Sequence, residues 1–502
     1  MDDEWTADAN DAITLSLVRP NASSIEKVAS FNPKFTFPIF GKDETIFGYK
    51  GLKINLQYDA RNLRPHFSMS SSKKFNSVGE VEALDVRELM KEFLPGVAFQ
   101  TRSEYNQAVR DVPDSWTPPG ALISTTERNG ETYEVWRGDL SDSAVRQLIR
   151  RIQVTVLFFI EGGSYVGLDD DGKDEPEHAL ARWSVFFLYK KVAAPTGSDE
   201  YLFQGFSTVY NFWMYQPPTP PSSPGKSNTA IEPKVDDSWE LPKGDLELSN
   251  LPRRARISQF IILPPFQGKG VGALLYNTIF TQYLADTATK EITVEDPNED
   301  FDLLRDLCDL TYLRENVPEF AALRVNGDVS VPQKGGLLRN NTQISPGSSA
   351  GTSESPSSEG IVDMEKLERI RAQTKIAPRQ FARLVEMHLM SALPASVRPQ
   401  GDNKPNRPNK PEAPKADQKL YLLWRLLLKQ RLYRRNVLIL AELETVERIY
   451  HLDETVNNVE WEYARILERL ESAATTNGKR KLDDHAESGD ESSTKKPRIE
   501  NA

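Results

Sequence analysis

The stretch 256–280, RISQFIILPPFQGKGVGALLYNTIF, limits what this chain can fold into more tightly than any other. Ile257, Phe260, Ile261, Ile262 and Leu263 read as a buried strand, and Pro264-Pro265 ends it, because proline has no N–H to give to a ladder. Gly268, Gly270 and Gly272 follow, and beyond them Leu274, Leu275, Thr278, Ile279 and Leu284 recur at helical spacing. A strand that passes into a helix through bare glycines sets backbone N–H groups at the positive end of a helix dipole, which suits a phosphate. A side chain there would hold phosphate oxygens away from the N–H groups, and some such turns need positive φ. The same glycines also suit a tight turn with close helix–strand packing, and the pattern alone leaves both readings open.

Spacing separates the phosphate ligands. A P-loop requires G-x-x-x-x-G-K-[ST], but Lys269 is followed by Gly270, so the magnesium-holding hydroxyl is missing. A dinucleotide turn requires G-x-G-x-x-G in a parallel β-α-β unit; here the third glycine comes one residue early and the preceding strands read as a meander. Neither fits.

The chain has 502 residues, 38% of them hydrophobic, enough for two or three domains. Its 62 basic and 73 acidic residues leave a net charge of -11. That balance argues against direct nucleic-acid binding and favours a cationic partner if the acidity is focused on one face; spread evenly, it describes a soluble acidic protein. The single cysteine, Cys308, rules out an internal disulfide framework and fits a reducing compartment. Lying in the apolar helical pattern LLRDLCDLTYL with no histidine beside it, Cys308 reads as packing rather than as a nucleophile. His66, His178, His388, His451 and His485 form no metal spacing, so no metal is expected. The opening MDDEWTADAN is unlike a secretory leader, and VTVLFFI at 154–160 is too short to cross a bilayer, so a soluble intracellular protein with no membrane partner is expected.

Residues 35–69 alternate, with Leu52, Ile54, Leu56 and Tyr58 on one face, and read as antiparallel strands followed by a helix near Val86–Phe93. A helix capped by Ser141 runs to about Arg151. After it IQVTVLFFIE, RWSVFFLYKK and YLFQGFSTVYNFWMY read as strands rich in β-branched and aromatic residues. EITVED at 291–296 is a further strand, followed by a helix carrying Leu303, Leu304 and Leu307. Residues 217–250, 332–362, 396–418 and 473–502 read as disordered from their Pro, Ser, Gly, Asn and charge content; between them helices are expected at 364–376, 378–393 and 419–471. Arg425, Lys429, Arg431, Arg434 and Arg435 read as a solvated basic face or a partner surface.

Gln267-x-x-Gly270-x-Gly272 after a strand resembles the coenzyme A signature of the GNAT acetyltransferases. Together with GKDETIFGYKGLKI, STVYNFWMY, RISQFIILPPFQGKGVG and ITVEDP in this order, the chain resembles the type B histone acetyltransferase catalytic subunits over roughly residues 10–330, and more weakly from 364 onward. The resemblance implies an α+β chain: a GNAT-type mixed central sheet with flanking helices, a mostly β N-terminal domain before it and a helical C-terminal extension after it. The expected divisions are 1–139 for histone-tail binding, 140–330 for the acetyltransferase core, 331–363 as linker, 364–472 as the helical domain and 473–502 as tail.

Acetyl-CoA is the implied co-substrate. Phe260, Ile261 and Ile262 would hold its acetyl and pantetheine arm, and Gln267, Gly268, Lys269, Gly270, Val271, Gly272 and Ala273 its diphosphate, with Asn298 as a further contact. Glu295 matches the family's proposed general base, and Asp296 and Glu161 the acidic residues beside it. A lysine with a pKa of about 10.4 must lose a proton before it attacks a thioester, and neighbouring carboxylates can bring one another toward neutral pKa, which is the chemical sense of that cluster. Lys42, Asp43 and Glu44, with Tyr210, Asn211 and Phe212, match the surface for the N-terminal tail of histone four, where acids pair with cations and aromatic faces hold them. Direct transfer in a ternary complex is implied, as is a WD-repeat histone chaperone as partner. The competing readings are an N-terminal or small-amine acetyltransferase and a non-catalytic histone-binding scaffold. KRK at 479–481 and KKPR at 495–498 have the form of a bipartite nuclear signal, so nuclear and cytoplasmic residence is expected.

Overall fold

The structure, a computed structural model, describes residues 3–21, 24–169, 171–194, 197–213, 251–331, 360–401 and 413–487. The chain divides into two compact units, Met1–Pro297 and Asn298–Ala502.

In the first unit, period-two patterning builds a four-stranded sheet from β1 (Ile13–Pro20), β2 (Ile25–Phe31), β3 (Lys53–Asp59) and β4 (Pro65–Ser70), in the order β2-β1-β3-β4. Leu52, Ile54, Leu56 and Tyr58 are all buried, as their alternation predicts. One local expectation fails here, since residues 37–40 form a helical turn, α1 (Phe37–Phe40). The antiparallel strands expected over 35–69 are β3 and β4, Leu56 beside Phe67, and β3 also pairs parallel with β1, Leu15 beside Leu56. The expected helix near 86–93 is α2 (Val86–Met90), and α3 (Arg102–Arg110) opens on a capping box between Thr101 and Glu104.

A second sheet follows: β5 (Ala121–Arg128), β6 (Glu131–Asp139), β7 (Trp183–Ala193), β8 (Asp199–Trp213), β9 (Arg253–Ile262) and β10 (Thr289–Val294), in the order β10-β9-β8-β7-β6-β5. Every neighbouring pair is antiparallel except β9 and β10. Between β6 and β7, α4 (Ser143–Ile152) buries Val145, Leu148, Ile149 and Ile152, a single helical stripe; its cap is Asp142, one residue past the expected Ser141.

The segment IQVTVLFFIE, expected as a strand, is instead a helix, α5 (Val154–Phe159), with Val154 to Phe158 all buried. A short run that is apolar on every side carries no period, and tertiary burial overrides β-propensity. Gln153 fixes the arrangement through a two-way bond with Val166, donating from Nε2 to its carbonyl (3.2 Å) and accepting from its N–H (2.7 Å). The parallel pair β9–β10 is joined, as a parallel pair must be, by a crossover helix, α6 (Val271–Ala285). Leu15 and Tyr58 of the first sheet share one apolar core with Phe187, Tyr189 and Phe203 of the second.

The second unit is helical among its described residues: α7 (Glu299–Asn316), α8 (Met364–Thr374), α9 (Pro378–Ser391), α10 (Lys415–Arg435), α11 (Val437–Ala441) and α12 (Thr445–Glu487). The single helix expected over 419–471 is therefore broken. The chain reverses between Asn436 and Glu444, because α10 and α12 pack antiparallel: Arg425 pairs with Glu460 (2.7 Å) and Lys429 with Asp453 (2.6 Å). Arg431 holds the buried Glu386 (2.7 Å), whose second oxygen accepts from Tyr463 Oη (2.9 Å), so three cations of the supposed basic face are engaged inside the unit.

Residues 217–250, 332–359, 402–412 and KKPR at 495–498 lie outside the described residues. Where the segments read as disordered are described, they carry structure: Ile361 and Val362 are buried, α10 begins at Lys415 and α12 runs to Glu487. Polar composition marked these places, yet Lys, Glu, Ala and Arg are good helix formers. No helix among the described residues is long and apolar enough to cross a membrane.

Candidate active site

Past Ile262 the chain makes one tight turn, Pro264–Phe266, and Gln267 ties back to the strand by donating from Nε2 to Ile262 O at 2.8 Å. Gly268 and Gly270 then take φ of +73° and +78°, a region that costs other residues roughly 1 kcal/mol or more. Gly270 is the N-cap of α6 and brings no capping side chain, and the first N–H groups of a helix have no acceptor within it. Gln267, Gly268 and Lys269 are exposed, Gly270, Gly272 and Ala273 half-buried and Val271 buried. The turn is thus reachable from solvent on the side where its N–H groups begin.

β9 and β10 part before β9 reaches this turn. Their register ends at Ile257 with Val294, and the last rung is the Glu295 N–H donating to Ile257 O at 2.9 Å. β10 then turns away through Asp296, at φ +32°, while β9 continues through Phe260, Ile261 and Ile262. Glu295 stands at the fork. Ser258 Oγ donates to its Oε2, and the Arg256 guanidinium lies 3.1 Å from its Oε1. Its contacts include a hydroxyl and a cation.

Strand alternation decides what else shares that face. Tyr210 lies opposite Arg256 and Phe212 opposite Arg254. Arg256 covers the Phe212 ring at 4.6 Å from its centroid and the Tyr210 ring at 6.0 Å. The Tyr210 hydroxyl accepts from Arg182 (3.0 Å), its ring meets Trp183 edge-on, and Arg182 covers Trp213 at 4.1 Å. Aromatic rings and guanidinium groups thus alternate along β8 up to Glu295. Asn211 faces the other way: it is buried, and its N–H and Nδ2 both donate to Arg182 O, so it braces the sheet.

Glu161 is exposed in the loop after α5, and that loop is drawn to β9 by Gln259, which donates to Ser164 O at 2.6 Å. The segment ahead of α1 is pinned to the same helix, Lys34 and Phe35 N–H both donating to Phe158 O. Beyond α1, Lys42 and Asp43 are exposed, whereas Glu44 is committed to the fold. Its Oε1 accepts from Thr36 N–H (2.5 Å) and Phe37 N–H (3.0 Å) and its Oε2 from Asn10 (3.0 Å). The Thr36 N–H chiefly holds that carboxyl below its ordinary range. Asn298, the first residue of the second unit, caps α7 by accepting from Phe301 N–H at 2.9 Å. In α7, burial pushes the Cys308 thiol up to about 12, which keeps it protonated. Among the described residues no group of His, Cys, Asp and Glu side chains is arranged to hold a metal.

Three residues of this site are not legible in the sequence. Arg256 and Ser258 reach Glu295 only because β10 lies beside β9, and Arg128 arrives from a hairpin far along the chain. A Cβ added to Gly270 would lie 2.3 Å from Arg128 Nη2, so the guanidinium rests directly on the glycine turn. Between β5 and α6 runs a groove of about 500 Å³ with Arg128 in its wall. ERNGE, residues 127–131, is a readable hairpin turn, but nothing local says what the hairpin touches.

Two families match the chain: "Histone acetyl transferase HAT1 N-terminus" over residues 5–161 and "Fungal HAT1, C-terminal" over residues 349–393. A Gibberella zeae protein named "Histone acetyltransferase type B catalytic subunit" is 46% identical, the match covering 99% of this chain and 99% of the relative. The Pyricularia oryzae protein of the same name is 44% identical over 100% and 99%, and that of Candida albicans 32% identical over 93% and 90%.

Proposed function

Because the chain belongs to the family of type B histone acetyltransferase catalytic subunits, we propose that the fork between β9 and β10 is its acetyl-transfer site and that the six-stranded sheet is a GNAT-type core. The protein is an acetyl-CoA-dependent histone acetyltransferase. One observation carries the site: a carboxylate, Glu295, stands where two parallel strands part, and the helix connecting them starts at a turn whose two positive-φ positions are glycines.

The residues fit the cofactor. Gly268, Gly270 and the open N-terminus of α6 suit a diphosphate, with Gln267, Lys269, Val271, Gly272 and Ala273 completing the turn. The strand Phe260–Ile262 offers extended backbone to the acyl arm. Acetyl-CoA supplies the acetyl group as a thioester. Glu295 takes the proton from the lysine ε-ammonium, and Ser258 and Arg256 hold its carboxylate while it does so. Asp296 and Glu161 orient the lysine or relay its proton through water. Transfer is direct, in a ternary complex.

The acceptor on this reading is the N-terminal tail of newly made, non-nucleosomal histone four, with its cations against the aromatic face of Tyr210 and Phe212 and the exposed turn at Lys42 and Asp43. A WD-repeat histone chaperone completes the working enzyme, and residence is nuclear and cytoplasmic. Incubating the purified chain with labelled acetyl-CoA and separate core-histone peptides tests the reading. Label on lysines of the histone-four peptide supports it, label confined to peptide N-termini or small amines points to another amine acetyltransferase, and binding without label points to a scaffold.

A further inference from the structure

We propose that Arg128, at the tip of the β5–β6 hairpin, is a phosphate clamp for the cofactor. The inference rests on the reading that the glycine turn holds the cofactor's diphosphate.

The argument begins with the hairpin. Asn129 and Gly130 both take positive φ, +52° and +74°, as the tightest hairpin turns require, and Arg128 pairs with Glu131 in register. β6 is in turn paired along its length to β7. A side chain on such a hairpin is aimed by the whole sheet. Arg128 is aimed at the N-terminus of α6, where its Nη2 and Cζ lie 2.3 and 2.5 Å from the place a Gly270 Cβ would take.

Electrostatics makes that position unfavourable unless an anion joins it. The helix terminus is the positive end of a dipole, and Lys269 is a further cation on the same turn. No carboxylate among the described residues forms an ion pair with Arg128. Glu127, next to it in sequence, lines the same groove without pairing with it, and Glu131, opposite it in the hairpin, already takes Lys190 and the Tyr133 hydroxyl and is held below its ordinary pKa, chiefly by Lys190. In a chain of net charge -11, an arginine rests on the bare start of a helix, and Lys269 of the same turn holds its ammonium over the Phe266 ring. A phosphate ester meets all of them: the N–H groups accommodate one oxygen set, and a planar guanidinium takes two oxygens at once. The cofactor offers two such groups, its diphosphate and its 3′-phosphate, and the groove between β5 and α6 beside Arg128 is polar where Ser124, Thr126, Asn277 and Gln282 line it.

Calorimetry on the full chain decides, with coenzyme A and 3′-dephospho-coenzyme A as probes. Arg128→Ala should weaken coenzyme A by about ten- to a hundredfold, the range for a charge-assisted bond to a phosphate. Arg128→Lys should recover part of that loss, keeping the charge without the fork. Equal weakening of both probes assigns the clamp to the diphosphate; weakening of coenzyme A alone assigns it to the 3′-phosphate. Because Arg128 is exposed, an unchanged thermal midpoint is expected in both variants. Gly270→Glu serves as the control on the premise. Parent-like affinity in Arg128→Ala with loss in Gly270→Glu overturns the clamp and leaves the cofactor turn standing, whereas parent-like affinity in both variants overturns the turn itself and the clamp with it.

Discussion

Glu295→Gln separates proton removal from everything else the residue does. Glutamine keeps the size of the side chain and an oxygen that accepts from Ser258, so the local hydrogen bonding survives. It loses the negative charge opposite Arg256. That pair is partly open to water, with side-chain exposures of 32% for Arg256 and 37% for Glu295, so its loss should lower stability by no more than about 1 kcal/mol. In a unit of this size that is about 2–4 °C in thermal midpoint. General base catalysis is worth about 10²–10⁴ in rate, or about 3–5 kcal/mol of transition-state stabilisation, several times the structural effect. The assay is kcat at saturating acetyl-CoA and histone-four peptide across pH 7–10, with calorimetric coenzyme A affinity as control. We expect kcat to fall at least a hundredfold near pH 7 with cofactor affinity unchanged. The deficit should narrow toward pH 10, because a lysine of pKa about 10.4 increasingly deprotonates without help. Asp296→Asn and Glu161→Gln should cost less, and each combined with Glu295→Gln should be less than additive. A kcat within threefold of the parent throughout, with Asp296→Asn or Glu161→Gln nearly inactive, would refute the assignment of the base and leave the acetyltransferase itself intact.

Four further outcomes follow from particular side chains. Asp43→Lys should weaken histone-peptide binding without altering thermal stability, and the effect should shrink with salt, since exposed charges are screened over about 8 Å at physiological ionic strength. Glu44→Lys should in addition lower the melting temperature, because it removes the acceptor for Thr36 and Phe37 N–H; equal melting temperatures for the two variants would contradict this division. His388 is buried, and burial, aided by Arg314 and Arg324, lowers its pKa to about 4, so between about pH 6.5 and 4 the unfolded chain binds the proton that the folded chain refuses. Its contribution to stability is therefore complete above pH 6.5 and falls by up to about 3 kcal/mol toward pH 4. Hydrogen exchange in α9 should show this fall in the parent relative to His388→Gln, and parallel pH curves would count against it. Replacing Lys479, Arg480, Lys481, Lys495 and Lys496 by alanine should move a fluorescent fusion toward the cytoplasm while leaving the chain full-length, and undiminished nuclear signal would remove the localisation proposal.

What the sequence determined by itself was local and periodic. Gly268 and Gly270 announce a positive-φ turn because only glycine takes that backbone without cost, and both take it. The stripe in α4 and the alternation from Leu52 to Tyr58 announce buried faces because a helix and a strand each repeat with a fixed period. Alternation also separates Asn211 from Tyr210 and Phe212, so that much was readable before any contact was known. Where an apolar run has no period, as in α5, the sequence leaves helix and strand undivided, and burial on all sides chose the helix. A parallel partner for β3 and the reversal between α10 and α12 depended on which surfaces met, since the same residues could cover an antiparallel neighbour or extend one long helix. The site shows the limit most plainly. Glu295, Arg256 and Ser258 form one cluster only because β10 returns beside β9, and Arg128 reaches Gly270 only because the order of six strands brings a distant hairpin over the start of α6. Propensity and period act over a few residues, whereas charge pairing and shared backbone ladders act between segments separated by tens to more than a hundred residues, and only the folded chain brings those together.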